Sequence, residues 1–340
     1  WQEKQPNSAA FGECWYDTIN EKLFVFTPLK GWVRIGYDIV GDTGIFGGGY
    51  TDESTNVNTI DQVTISSPSN ATDFGDLTVI RRNLSSTSNG TSDTGIFGGG
   101  YDGSTYVNTI DQVTISSPSN ATDFGDLTLG RHALSSTSNG TSDTGIFGGG
   151  HTTETYYNTI DQVTISSPSN ATDFGDLTVG RNTLSSTSNG TSDTGIFGGG
   201  WNGTTYFNTI DKVTISSPSN ATDFGDLTVI RRGLSSTSNG TSDTGIFGGG
   251  TTGSYVNTID QVTISSPSNA TDFGDLTVIR GFLSSTSNGT SDTGIFGGGT
   301  TGSVVNTIDQ VTISSPSNAT DFGDLTLSRS SLSSTSNGLN

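Results

Sequence analysis

The sequence predicts an all-β protein: a closed six-bladed β-propeller of four-stranded blades, preceded by a small β-meander. Three observations lead there. A tandem repeat has a period near 50 residues, the composition favours strands and turns, and the C-terminal stretch supplies the strand that the first repeat lacks. The string DTGIFGGG begins at Asp42, Asp93, Asp143, Asp193, Asp243 and Asp292, at spacings of 51, 50, 50, 50 and 49 residues. Such a period, holding four strand-like pieces, matches one propeller blade.

Only 29% of the 340 residues are hydrophobic and the formal charge is −20, a combination that can signal disorder. Here Gly, Ser, Thr and Asn fill the deficit, regularly interrupted by β-branched and aromatic residues, which fits strands and turns instead. Cys14 is the only cysteine, so the chain has no internal disulfide. No apolar run reaches the roughly 18 residues of a membrane span, and no membrane insertion is expected. An acidic chain without a basic tract argues against a nucleic-acid partner. With Trp1 first and no methionine, the chain is expected to be a processed product or a fragment.

Each unit divides into four strands. ALSSTSNG (Ala133 to Gly140) is strand A, leading through an Asn-Gly turn into strand B, DTGIFGGG. A loop then reaches strand C, NTIDQVTISS, whose Ile110, Val113 and Ile115 supply apolar side chains. Pro-Ser-Asn turns the chain into strand D, ATDFGDLT, with Phe124 and Leu127. Asn and Gly accept positive φ and Pro presets its own, which suits both turns. Three glycines after Ile-Phe predict a strand that neighbouring backbones approach closely. The first unit begins at strand B, and Arg329 to Gly338 is a lone strand A. Pairing the two closes the ring and removes its open edges. The propeller is assigned to residues 39–340. Residues 1–38 read as a meander with strands near Cys14–Thr18, Lys22–Thr27 and Trp32–Ile35.

Arg131, Gly148-Gly149-Gly150, Asn158-Thr159-Ile160-Asp161 and Leu177 carry a resemblance to the kelch repeat, which extends from Asp42 to the C-terminus. The usual kelch tryptophan of strand D is missing, with Phe174 in its neighbourhood. The N-terminal WYDT…KLFVF…GWV resembles a small module of phage tail-fibre and other virion proteins, and the repeats resemble kelch-like repeats encoded by marine phages. The resemblance implies a non-enzymatic protein on the surface of a phage virion that binds a host cell-surface glycan or receptor. The N-terminal module or the uniform face would then contact other virion proteins. A purely structural or decoration role is the alternative, a glycan-active enzyme a third, and a cellular propeller with a β appendage remains open.

The six copies differ in two places. The loop after GGG reads YTDESTNV, YDGSTYV, HTTETYY, WNGTTYF, TTGSYV and TTGSVV; the D–A junction reads VIRRN, LGRHA, VGRNT, VIRRG, VIRGF and LSRSS. In an up-and-down blade the B–C and D–A connections share one end, so all this variation is expected on one face, where loops on a rigid scaffold commonly carry recognition. Of nine Lys and Arg in the propeller, eight lie in D–A segments: Arg81, Arg82, Arg131, Arg181, Arg231, Arg232, Arg280 and Arg329. Against four non-repeated acids in B–C loops, Asp52, Glu53, Asp102 and Glu154, that face is expected to be about four charges positive. Six of these arginines recur once per blade. They are expected either to ring the channel mouth and bind carboxylate, sulfate or phosphate, or to pair with an Asp such as Asp76.

Tyr50, Tyr101, His151 and Trp201 occupy one loop position, with Thr251 and Thr300 in the last two blades. The first four are expected to be exposed, forming with Arg and Asn a sugar-binding surface. Tyr106, Tyr156, Tyr157, Tyr206, Phe207 and Tyr255 are expected to pack between loops. The candidate ligand-binding set is therefore Tyr50, Arg81, Arg82, Tyr101, Arg131, His132, His151, Arg181, Trp201, Arg231, Arg232, Arg280 and Arg329. His132 and His151, the only histidines, suggest no third metal ligand. Asp52, Glu53, Asp102 and Glu154 are the only non-repeated carboxylates for glycosidase chemistry. Asp42 and Asp73 could meet around a cation, though turn capping by Asp suits them better. No cofactor or metal is expected.

Overall fold

The computed structural model describes the strands of residues 14–17, 22–27 and 31–34. It also describes residues 42–338, apart from 52–53 and the turns 90–92, 140–142, 190–192, 240–242 and 289–291. The chain divides into two units, Trp1–Val40 and Gly41–Asn340. In the first, β1 (Cys14–Asp17), β2 (Lys22–Thr27) and β3 (Gly31–Arg34) pair antiparallel in the order β1-β2-β3, with Trp15 opposite Phe24 and Val25 opposite Val33.

The second unit is a six-bladed β-propeller, each blade a sheet of four antiparallel strands. In the first blade, strands B, C and D are β4 (Thr43–Tyr50), β5 (Asn56–Thr64) and β6 (Thr72–Asp76). The second blade is complete in sequence: β7 (Ser85–Asn89), β8 (Thr94–Gly98), β9 (Thr109–Thr114) and β10 (Thr122–Asp126). Four blades of the same build follow, from β11 (Ser135–Asn139) to β26 (Thr320–Asp324). The last strand, β27 (Ser333–Ser336), pairs with β4, Ser333 opposite Gly47 and Ser336 opposite Gly44. It is the missing strand A of the first blade, and the ring closes as the count of strands requires. The Asn-Gly turns between strands A and B lie outside the described residues.

The core lies between blades. Successive strand residues point to opposite faces of a sheet, and in a propeller both faces are covered. Phe97 therefore packs with Ile45, Ile60, Phe74 and Leu77 of the blade before, while the adjacent Ile96 packs with Phe147, Val163 and Ile165 of the blade after. This explains why Ile-Phe, not an alternating pair, recurs in strand B. The glycine run has distinct jobs along its length. A Cβ on Gly98 would stand 2.7 Å from the ring of Phe147, so the first glycine seats the next blade's phenylalanine. Gly99 and Gly100 adopt φ of +68° and +115°, conformations that disfavour other residues.

The recurring arginines have a structural role, which corrects the expectation that they ring the mouth as ligand donors. Arg81, Arg131, Arg181, Arg231, Arg280 and Arg329 are fully buried. Each pairs with the Asp of NTID in its own blade: Arg81 with Asp111 at 3.0 Å, then Arg131–Asp161, Arg181–Asp211, Arg231–Asp260, Arg280–Asp309 and Arg329–Asp61. The partner is thus the strand C aspartate, not Asp76. Arg81 also donates to the carbonyls of Phe97 and Thr109. Asp111 accepts from the backbone N–H and hydroxyl of Thr78, at the end of strand D in the preceding blade. One buried carboxylate thereby links strands A and C of one blade to strand D of its neighbour.

Two hydroxyl rings line the channel. Ser85 bonds Ser136 of the next blade at 2.7 Å, and five equivalent pairs run round to Ser86 with Ser333. Below them, Ser138 donates to the Ser88 carbonyl, and the pattern repeats through Ser336. These rings satisfy the serine hydroxyls that strand A buries at the axis.

Candidate functional site at the channel mouth

The two variable segments pair with each other. In every blade the residue after the buried arginine and the residue after GGG form an antiparallel bridge: Arg82 with Tyr101, His132 with His151, Asn182 with Trp201, Arg232 with Thr251, Gly281 with Thr300, and Ser330 with Tyr50. Backbone bonds of 2.8–3.2 Å run both ways in each bridge. The next residues, Asn83, Ala133, Thr183, Gly233, Phe282 and Ser331, all have φ between 49° and 63°. That turn aims each N–H along the ring, where it donates at 2.6–2.8 Å to the equivalent carbonyl of the preceding blade. Six amides close a circle, and the side chains that differ between blades stand around it.

They enclose a bowl of about 300 Å³, lined by Tyr50, Arg82, Asn83, His151, Asn182, Trp201, Arg232, Phe282, Ser330 and their neighbours. A second hollow of about 460 Å³ lies between the first two blades, against Tyr50, Asn56, Ile80, Arg82, Tyr101 and Asp102. Asn83, Asn182, Phe282 and Ser330 were missed as candidates from the sequence. Their signal was the D–A variation itself, one or two residues beyond the buried arginine.

The aromatic residues form a continuous belt, not separate exposed platforms. All are half-buried. Tyr101 meets Tyr106 and His132; His132 lies 4.0 Å from His151; His151 stacks on Tyr156; and Tyr156 meets Trp201 edge-on. The expectation of an exposed first set is corrected accordingly: Tyr106, Tyr156 and Tyr206 cover part of it. Arg82 lies over Tyr50 at 4.2 Å and Arg232 over Trp201 at 4.4 Å, a geometry that attracts a cation to the ring face. The Tyr50 hydroxyl, bonded to Ser54 and Arg82, has its pKa lowered.

The charge of this face is also corrected. Six of its eight arginines are neutralised by buried aspartates, which leaves Arg82 and Arg232. Asp102 is exhausted by its own loop, accepting from the backbone and hydroxyls of Ser104 and Thr105, which lower its pKa strongly. That makes it a poor proton donor. Glu154 is exposed, and Asp52 and Glu53 lie outside the described residues. Asp42 caps Ser66 and accepts from Asn288. Among the described residues no three His, Cys, Asp or Glu side chains gather as for a metal ion, and no helix is long and apolar enough to cross a membrane.

His132 and His151 form a neutral pair. Asn182 donates its amide to His151 Nδ1 at 2.7 Å, and Thr183 donates to the Asn182 oxygen. The Nε2 atoms of His132 and His151 lie 2.9 Å apart and share one hydrogen bond, so only one of the two carries a proton. Burial first, and then His151 and Arg82, lower His132 to about 3; burial, opposed by a bond with the His132 backbone and helped by Arg232, lowers His151 to about 4. An unfolded histidine titrates near ~6.5, so between that pH and the folded values the unfolded chain binds more protons. Stability is therefore expected to fall as pH falls through this window. A His132→Gln/His151→Gln variant should show a shallower loss of urea stability between pH 6.5 and 4 than the parent. Equal slopes would count against the pair.

Every exposed large hydrophobic among the described residues lies in a D–A segment: Ile80, Leu129, Val179, Ile230, Val278, Ile279 and Leu327. They give the variable face an aliphatic rim around its polar and aromatic centre. No family model matches the chain, and no curated protein is found to be similar to it.

Proposed function

We propose that the chain is a non-enzymatic surface protein of a phage virion that recognises a host cell-surface glycan or receptor through its variable face. One observation carries the reading: the positions at which six otherwise near-identical repeats differ pair with one another and line a bowl at the channel mouth. Drift in tolerant loops would also mark the exposed positions of strands C and D, which hardly vary. The exposed aliphatic side chains of the D–A segments add apolar contact area to the same face. The N-terminal unit or the uniform face would hold the protein to other virion components. The placement on a virion rests on the resemblance of the repeats and of WYDT…KLFVF…GWV.

The test compares the native chain with a flattened variant that carries TTGSVV and LSRSS in every blade. That variant keeps the buried Arg–Asp pairs, so its thermal unfolding should stay near that of the parent. Binding to host cells is expected for the native chain and expected to vanish for the flattened one. Equal binding would move recognition to another face. Absence of binding by both would favour a structural role in the virion.

A further inference from the structure

Arg82 and Arg232 are equivalent residues of the second and fifth blades, so they stand three blades apart in a ring of six. They face each other across the mouth, and both line the same bowl. The aromatic that each lies over comes from the preceding blade, Tyr50 for Arg82 and Trp201 for Arg232. Tyr101 and Tyr206 flank them at 5.5 and 5.6 Å. The other four blades put His132, Asn182, Gly281 and Ser330 at this position, and none of these is a cation while the histidines are neutral. Unlike the recurring arginines, neither Arg82 nor Arg232 takes part in an ion pair with a described carboxylate. The face therefore presents two fixed guanidiniums, on opposite walls, with uncharged polar groups such as Asn83 and Asn182 between them.

We infer that the bowl binds a saccharide bearing two anionic groups, one for each guanidinium. The inference rests on the recognition reading above and names the ligand class for the same site. Stacking on a ring holds a guanidinium in place before the ligand arrives, which cuts the ordering cost of binding. Its planar fork then meets a carboxylate or sulfate with two donors. Two such groups at opposite walls select for the spacing of charges in the ligand, which a single cation cannot do. The hydroxyls between the charges fall against Asn83, Asn182 and Ser330. The molecule as a whole is strongly acidic, and on this face an anion gains attraction from these two arginines.

Titration calorimetry tests this with two probe series: lactose carrying no, one or two sulfate groups, and a neutral disaccharide, galacturonate and digalacturonate. In at least one series the dianionic probe is expected to bind roughly ten- to hundredfold more tightly than the monoanionic one. Arg82→Gln or Arg232→Gln should each erase that advantage, and the double variant should bind charged and neutral probes alike. Lysine at either position keeps the charge but loses the fork, and should recover only part of the affinity. Unchanged thermal unfolding of these variants separates lost binding from lost folding. Equal affinity for one and two charges in both series, no binding of any charged probe, or indifference to both Arg→Gln changes overturns the inference. If host cells still distinguish the native from the flattened chain in that case, recognition stands and only the two-anion ligand falls. If they do not, recognition falls as well.

Discussion

A chain ending at Thr326 is expected to lose cooperative folding, and a peptide of residues 327–340 added in trans is expected to restore it. The deletion removes β27 and with it the register of Ser333 to Ser336 on β4. It strips Leu332 from the core cluster that joins the last blade to the first. Asp61, fully buried in the intact ring, loses Arg329, and removing one partner of a buried ion pair costs about 3–5 kcal/mol. The serine ring opens at Ser333 and Ser334, and the amide circle opens at Ser331. These losses fall on one seam and share partners, so they do not add independently. Yet typical domain stabilities of about 5–15 kcal/mol leave little to absorb them. The check is circular dichroism during urea titration, with and without the peptide. A truncated chain that unfolds at the parent midpoint would mean that the ring does not depend on this strand.

Much of that architecture was legible in the repeat. DTGIFGGG sets the period, and the offset between the first and last units identifies the closing strand. Asn-Gly and Pro-Ser-Asn mark where strands end. What the repeat could not convey is which side of each blade a residue faces, because both faces are buried. Ile96 and Phe97 look alike as apolar neighbours, but they serve opposite interfaces. The role of Gly98 depends on Phe147, 49 positions later, and no local pattern links them.

The variable face was legible in the sequence, and the burial of its residues was misjudged. Variation between repeats placed it at the B–C and D–A end, and the bridges join those same positions. Arg81 and Arg82 are adjacent, identical in type and opposite in fate: one is fully buried and the other lies on Tyr50 at the surface. Recurrence was the available signal. Arg81 has a counterpart in all six units, as does the Asp of NTID, whereas Arg82 has one counterpart, Arg232. A residue invariant across six blades serves what all blades share, which is packing on a neighbour. A residue present in two serves what differs. Read this way, the arginine and the aspartate would have been paired, and the positive excess of the face would not have been expected.

Asp111→Ala is expected to destabilise the propeller by about 3–5 kcal/mol, a large change for a substitution far from the bowl. Arg81 would keep its charge in a fully buried position with only the carbonyls of Phe97 and Thr109 for partners. The N–H and hydroxyl of Thr78, an exposed residue, would lose their acceptor to water. The contrasting variant is Arg81→Met/Asp111→Leu, which removes both charges. Its loss should be smaller than that of Asp111→Ala, because no uncompensated ion remains and two apolar side chains fill the space. Urea midpoints of the parent, Arg81→Met, Asp111→Leu and the double variant complete the cycle, with Asp111→Ala measured beside them. A double variant as unstable as Asp111→Ala would mean that the site needs the carboxylate for Thr78, not for the arginine. The pair would then matter chiefly as the tie between blades, with the six guanidiniums as its supports.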